Sequence, residues 1–526
     1  MEQKKQFPVP GETSLIDHHA SCDNTYESNG SVRLVPQPTA DPLDPLTWSN
    51  SRKYVAMLII SFWTMVLGAA TLSGGVQYSA IMAEFEIDVG YLNVSAALAL
   101  LLCGVSNLFF SPMALKYGRR PVYLLSAFLT CFAQVLIAWA VNKEMLTAGR
   151  CLVGLAAGPF EQLPAVSVAD MFFVHERGFG LSFYVFSISF GSFLGPMVAG
   201  IVTNNLGWRW VNNILIILAA ISFVMILVGL EESSFHRYSI IEDSSVAVGQ
   251  NSDISHTLAA CDDDGESARR RMDSVRTPFW QTRKLITTSK SQRTFMAMFT
   301  ATIRLLFTPI IIWCGIAYGA AISWLSIMAV TASTVFMNST YKFNSIQTGL
   351  TNIAPFIGSL FMIYVGGQAT DKFLVWKAKR NGGIMQAESR LYPCLIAAPV
   401  MASGVLLYGV CAAHGVIWIA PTIGMGLIGA AMPLLAQVTL GYASESYPLL
   451  AGEATTGMIL IRNVIGCGMT FAISPWIESS GIQWCFVEVA VIALLINLSA
   501  VLIIWKGSVI RRKTAAIYYG ILGLEC

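Results

Sequence analysis

The segment "AGRCLVGLAAGPFEQLP", residues 148 to 164, sets an arginine and a glutamate inside an otherwise apolar stretch. A charge at the centre of a membrane helix costs at least about 2.5 kcal/mol unless it is paired or hydrated. Arg150 and Glu161 are therefore the first residues to ask about chemistry. They stand eleven positions apart, three helical turns, which puts both on roughly one side and about 16 Å apart along the axis. Pro159 and Pro164 flank the glutamate and disturb that phase. A carboxylate at such depth has two uses: burial favours its neutral form, so it can carry a proton, and when ionised it can hold a cation. The competing reading is a carboxylate permanently satisfied by its neighbours in a structural network. Arg462 and Asn463 make a second polar pair inside an apolar run, and Trp324, Asn352 and Gln437 stand where they could reach a central cavity. Each of these three, taken singly, fits a packed core or helix interface better than a ligand contact.

The chain of 526 residues is 55% hydrophobic and only 12% charged, with a mean hydropathy of +0.60. Soluble domains carry about twice that share of charge. A multi-pass membrane protein is expected, all α-helical, with the lipid bilayer as a partner. Apolar runs long enough to cross a bilayer, about 20 residues each, begin near 54, 91, 121, 145, 179 and 211. Six more begin near 305, 345, 391, 416, 453 and 483. The expected organisation is a polar N-terminal tail (1–53), a six-helix bundle (54–230), a linker (231–300), a second six-helix bundle (301–506) and a C-terminal tail (507–526). The linker runs from "CDDDGE" to "ARRRMDSVRTPFWQTRK", a composition that cannot bury a core.

Lysine and arginine in the short loops set the orientation. Arg52, Lys53, Lys116, Arg119, Arg120, Arg177, Lys372, Lys377, Arg390, Arg511 and Arg512 all fall on one side if both termini are cytoplasmic. The other side keeps Lys143, Arg209 and Lys342 against the acidic "AEFEIDVG". Asn338, in a predicted outer loop, is the candidate glycosylation site, and Asn93 lies near an outer helix end. The scattered cysteines read as small core residues rather than disulfides or metal ligands. No metal or other cofactor is expected, and no basic block is large enough to suggest nucleic acid.

The fifth apolar run contains "GSFLGPMVAG", three glycines and a proline in ten residues. At spacing four, Ser187, Gly191, Gly195 and Ala199 form one stripe, and Ser192, Pro196 and Gly200 an adjacent one. Such a face lets another helix approach closely, and neighbouring helices make the proline tolerable. The string resembles motif C, the antiporter motif of the major facilitator superfamily, in the helix where that family carries it. "KYGRRPVY" resembles the second half of the superfamily's loop 2–3 motif A, and the helix-four segment quoted above is similar to motif B. "DPLDPLTWSNSRKY", "FFVHERG", "EESSFHR", "AKRNGGIMQAESRL" and "ESYPLLAGEATTGMILIRN" resemble fungal members of the drug:proton antiporter type. The resemblance covers the chain from about residue 41.

One departure stands out. The full loop motif has a glycine and, four residues on, an acidic residue; here those positions hold Ser111 and Leu115, whereas the second half keeps Gly367 and Asp371. If a charge relay beside Lys116, Arg119 and Arg120 locks the closed state, its acid must come from elsewhere; Asp170, at the end of helix four, is the candidate partner of Arg119 or Arg120, the alternative being that it simply faces water. Glu445 mirrors it at the end of helix ten. The resemblance implies twelve helices in two pseudo-symmetric bundles and alternating access driven by protons. It also implies monomeric export of a small organic molecule, such as a drug or secondary metabolite, across the plasma membrane. An importer of a small nutrient or cation, or a sensor that kept the fold but lost transport, are the alternatives. No nucleotide-binding loop and no cluster of catalytic residues suggests an enzyme.

Overall fold

The computed structural model describes residues 12–14, 44–172, 177–234, 294–337, 341–380 and 384–522. Among them the stretches long and apolar enough to cross a membrane are Asn50–Phe85, Val89–Tyr117, Arg120–Ala138, Lys143–Met171, Phe183–Leu206 and Trp208–Gly229, here spans 1 to 6. Pro309–Met337, Ser345–Tyr364, Ala387–Ala413 and Ile419–Ser446, spans 7 to 10, follow, and then Pro448–Leu522. The last has 75 residues, about 110 Å as a straight helix, more than three hydrocarbon cores thick. Gly481 resolves this: at φ +74° and ψ 161° it breaks the helix, in backbone space that only glycine enters readily. The stretch crosses twice, as span 11 (451–480) and span 12 (482–522). The fold is an all-α bundle of twelve spans, six on either side of the central segment.

Each half has its own core. In the first, Trp63 of span 1 meets Tyr123 of span 3 edge to face, with centroids 4.9 Å apart. Met57, Ile60, Phe160, Met171 and Ile226 are buried around them. In the second, Tyr318, Trp324, Met401, Tyr408, Tyr442 and Phe486 belong to one continuous cluster. Helix starts are capped where polar residues allow: Asn344 and Gln347 form a reciprocal capping box at the start of span 8, satisfying donors the helix leaves open.

The end of the molecule that carries Arg52, Lys116, Arg119, Arg120 and Arg390 is called the basic end below, and the end carrying Glu84, Asp88 and Gly481 the far end. Three features of the basic end depart from the sequence-based boundaries. First, Phe295–Leu306 forms an apolar helix that packs on spans 2 and 11, so the linker stops before 295 rather than at 300. The rest of the linker, 235–293, lies outside the described residues. Second, the C-terminal segment is no free tail: helix Ala500–Leu522 continues past 507. Its Arg511 is wholly buried and grips the buried Glu388 with Nε to Oε1 at 2.8 Å and Nη2 to Oε2 at 2.6 Å. Third, residues 44–53 fold back on the bundle, with Lys53 Nζ donating to the Leu46 carbonyl at 3.1 Å. A short strand β1 (Glu12–Ser14) pairs antiparallel with β2 (Ile384–Gln386), Glu12 opposite Gln386.

The Arg511–Glu388 pair gives a first test. Arg511→Leu leaves the Glu388 carboxylate buried without its partner, which costs about 3–5 kcal/mol. A clear drop in the thermal midpoint of the detergent-solubilised protein is expected, with Glu388→Gln added to Arg511→Leu regaining part of it.

Candidate functional site

Span 4 is not one helix. It runs as α-helix over Lys143–Ala156, tightens to a 3-10 turn at Gly158–Phe160, and resumes at Gln162–Met171. Pro159 lacks the N–H that would continue the ladder, and its ring crowds the preceding turn. Glu161 sits at this break. Its Oε2 pairs with Nη1 of Arg462 from span 11 and accepts from the Tyr318 hydroxyl of span 7 at 2.8 Å. The Tyr184 hydroxyl of span 5 donates to the Glu161 carbonyl at 3.0 Å. The Arg462 guanidinium lies over the Tyr318 ring, 4.8 Å from its centroid, and Nη2 reaches Asn463 Oδ1 at 3.1 Å. Glu161 and Arg462 side chains keep 12% and 3% exposure, so water does little to support either charge and each depends on the other. Arg462 Nε and Asn463 Nδ2 are buried donors without an acceptor among the described residues.

Arg150 does not share this site. Its Nη1 bonds Ser95 Oγ at 2.9 Å and its guanidinium lies 5.2 Å from the Tyr78 ring centroid, on the far side of the break. The even helical phase that would align Arg150 with Glu161 is lost at Gly158–Phe160. The other cavity candidates also divide. Trp324 is buried in the second core. Asn352 bonds carbonyls of its own helix, at Gly349 and Thr348, and lines a cavity of about 20 Å³ with Ser192, Pro196 and Met328. Gln437 is exposed. Asn463 packs on span 2, where a Cβ on Gly104 would come within 2.8 Å of it.

At the basic end the structure brings Arg119 and Asp170 together as an ion pair, and Arg390 and Glu445 as another. The two occupy corresponding places, one in the loop and span end of each half. Arg120 instead donates Nη2 to the Leu227 carbonyl at 2.6 Å, and Lys116 lies 5.8 Å from the Tyr117 ring. Asp371 is carried by helix Ile353–Arg380. Sequence reasoning missed Glu232, from the quoted "EESSFHR". Its carboxylate accepts the backbone N–H groups of Arg119 and Arg120 at 2.9 and 3.1 Å, capping span 3 where the positive end of its dipole lies. Gly118, at φ +101°, makes the turn, and a Cβ there would strike that carboxylate. Tyr318 and Tyr184 were missed too; the visible signal for Tyr318 is a lone tyrosine hydroxyl among the small residues of "CGIAYGAAIS".

The glycine-rich stretch of span 5 contains a π-helical turn, Phe190–Leu194, ahead of Gly195–Leu206, a local widening typical of functional helices. Its glycines face different partners, while Ser192 of the second stripe meets Gly68 of span 1. A Cβ on Gly191 would run into the backbone of Met65, and one on Gly195 would come within 2.8 Å of Ala69, both in span 1. Gly200 abuts Ser345 and Gly349 of span 8 in the other half. Asn93 is buried and donates to Ser474 Oγ at 2.7 Å, so it is no glycan acceptor; Asn338 lies outside the described residues.

Comparison with known proteins agrees with this architecture. Residues 58–472 match the family model of the Major Facilitator Superfamily. An MFS-type transporter of Schizosaccharomyces pombe is 27% identical, over 98% of this chain and 95% of its own length. The protein HOL1 of Saccharomyces cerevisiae is 26% identical over 94% and 92%. The MFS transporter cpaT of Aspergillus oryzae is 27% identical over 84% of each. In shape, the chain is similar to the proton:xylose symporter XylE, with a TM-score of 0.61 at 16% identity, covering 87% of this chain and 97% of that one. The chain belongs to the Major Facilitator Superfamily and is a multi-pass membrane transporter rather than an enzyme.

Proposed function

We propose that the chain is a proton-coupled exporter of a small organic molecule, a drug or secondary metabolite, working as a monomer by alternating access between its two six-span bundles. The observation that carries this reading is the Glu161 carboxylate, held between the halves by Arg462 and Tyr318. Ionised Glu161 ties span 4 to spans 7 and 11. Protonation removes the charge, weakens the tie to Arg462 and frees the bundles to rock; substrate takes the vacated partners, with Arg462 Nε and Asn463 Nδ2 as ready donors. Export rather than uptake is supported by the motif in span 5, whose Gly200 lies against span 8 and whose Gly191 joins span 5 to span 1. Lys116, Arg119, Arg120, Asp170, Asp371 and Glu445 form the gate at the basic end. The excess of lysine and arginine there supports cytoplasmic termini, and the family resemblance supports the plasma membrane.

Deleting the gene in its own host and comparing small molecules in cells and medium tests direction. An exported compound builds up inside and disappears from the medium; a nutrient left unused outside overturns export. With that compound in hand, Glu161→Gln, which keeps shape but not charge, is expected to abolish flux driven by a pH gradient in vesicles. Full pH-driven flux in this variant overturns Glu161 as the coupling group.

The two stripes of span 5 predict opposite phenotypes. Gly191→Leu wedges spans 1 and 5 within one bundle and is expected to lower stability by about 1–3 kcal/mol, read as thermal midpoint. Gly200→Leu meets span 8 across the bundle interface, so it is expected to slow transport more than it lowers that midpoint.

A further inference from the structure

One residue beyond Glu161, a second polar group joins the halves. Gln162 opens the second part of span 4 and is 8% exposed. Its Nε2 donates to the Gly452 carbonyl at 2.9 Å and to Thr455 Oγ1 at 3.0 Å, both in span 11. Its Oε1 accepts from Asn107 Nδ2 of span 2 at 3.2 Å and from Thr456 Oγ1 of span 11 at 3.0 Å. Thr456 also lies 2.8 Å from Ser111 Oγ of span 2. The amide thus has partners on both sides of the bundle interface, and a Cβ on Gly452 would sit 3.8 Å from Leu115. This contact closes spans 2, 4 and 11 on the basic side of Glu161.

Its chemistry differs from that of the ion pair beside it. Separating Glu161 from Arg462 strands two buried charges, but separating Gln162 from span 11 strands little. Thr455 keeps the Ala451 carbonyl at 2.9 Å, and Thr456 can turn its single hydroxyl proton from Gln162 to the Gly452 carbonyl at 2.7 Å, each within its own helix. Asn107 keeps Gln162 Oε1 and Ser111 Oγ lies 3.5 Å from its Nε2, both from span 2, and water entering from the basic end readily meets the remaining N–H. Neutral hydrogen bonds with fallback partners are worth about 1 kcal/mol each, enough to hold and weak enough to release.

We propose that Gln162 is the positioning residue of a neutral latch between spans 4 and 11, which keeps the passage from Glu161 to the basic end closed and whose release opens it. Adjacency along the backbone makes Gln162 report movement of Glu161: when the break in span 4 shifts, both side chains move together. The inference holds whichever way the substrate travels and whichever ion drives it.

Hydrogen exchange of the full-length protein in lipid nanodiscs tests this without a known substrate. Gln162→Leu, similar in size but without hydrogen-bonding groups, is expected to raise exchange at least about fivefold, the equivalent of losing one of its three bonds to span 11 without a fallback, in segments 107–117 and 451–457. Exchange near Asn93 and Ser474, where the far ends of spans 2 and 11 meet, should stay unchanged. Thr455→Val with Thr456→Val, which acts from the opposite side, should reproduce the effect, and adding it to Gln162→Leu should produce no further rise. Unchanged exchange at both basic-end segments in both variants overturns the latch. So does an equal rise at both ends, which marks general loosening, or full additivity of the two changes. Should Gln162→Leu fail to fold, the threonine pair decides alone by the same criteria.

Discussion

A carboxylate held away from water must be matched by a cation, and for Glu161 that cation, Arg462, is supplied 301 positions along the chain by the other half of the molecule. Each charge alone would be expensive in an apolar bundle, and the Tyr318 hydroxyl and the Asn463 amide oxygen each add one bond to the pair. The pair therefore constrains everything around it. Spans 4, 7 and 11 must converge at one depth, and the seam between halves must be close enough for direct contact. The break in span 4 must turn Glu161 toward the seam.

The backbone supplies each requirement by removing bulk or hydrogen bonds at chosen places. Pro159 ends one ladder in span 4, and Glu161, at that break, reaches Arg462 and Tyr318 of the other half while Arg150 meets Ser95 and Tyr78. Gly104 lets span 11 lie against span 2 at Asn463, and Gly319 approaches the Arg462 backbone, to 3.1 Å for a hypothetical Cβ. Gly191 and Gly195 draw span 5 onto span 1, which positions Tyr184 beneath the Glu161 carbonyl. Residues that weaken an isolated helix here increase contact between helices, since dense packing rather than apolar burial drives association within lipid.

These requirements were unevenly legible in the sequence. The twelve spans could be read because each needs a long apolar run, a local property. The two stripes of span 5 could be read because spacing of four defines a helix face, although their different partners could not. The pairing of Arg119 with Asp170 was open to inference from charge and loop position. Arg150 was misplaced because a 3-10 turn resets helical phase. Arg511 was taken for a tail charge because its partner, Glu388, lies 123 positions away. Gln162 and Glu232 were passed over for a similar reason: a glutamine beside a glutamate, or an acid in a polar loop, acquires meaning only from the groups that folding sets against it.

The distribution of charge pairs follows a pattern with mechanical consequences. Arg52–Glu231, Arg119–Asp170 and Arg209–Glu84 join elements within the first half. Arg390–Glu445 and Arg511–Glu388 do so within the second. Glu161–Arg462 crosses between them. Rocking one half against the other leaves the internal pairs intact, so each bundle moves as a unit with its charges compensated. The crossing pair alone among these must part or tilt, and the energy of doing so depends on whether Glu161 bears its charge. Neutralising that single group changes the cost of separating the halves, and the proposed coupling rests on this step.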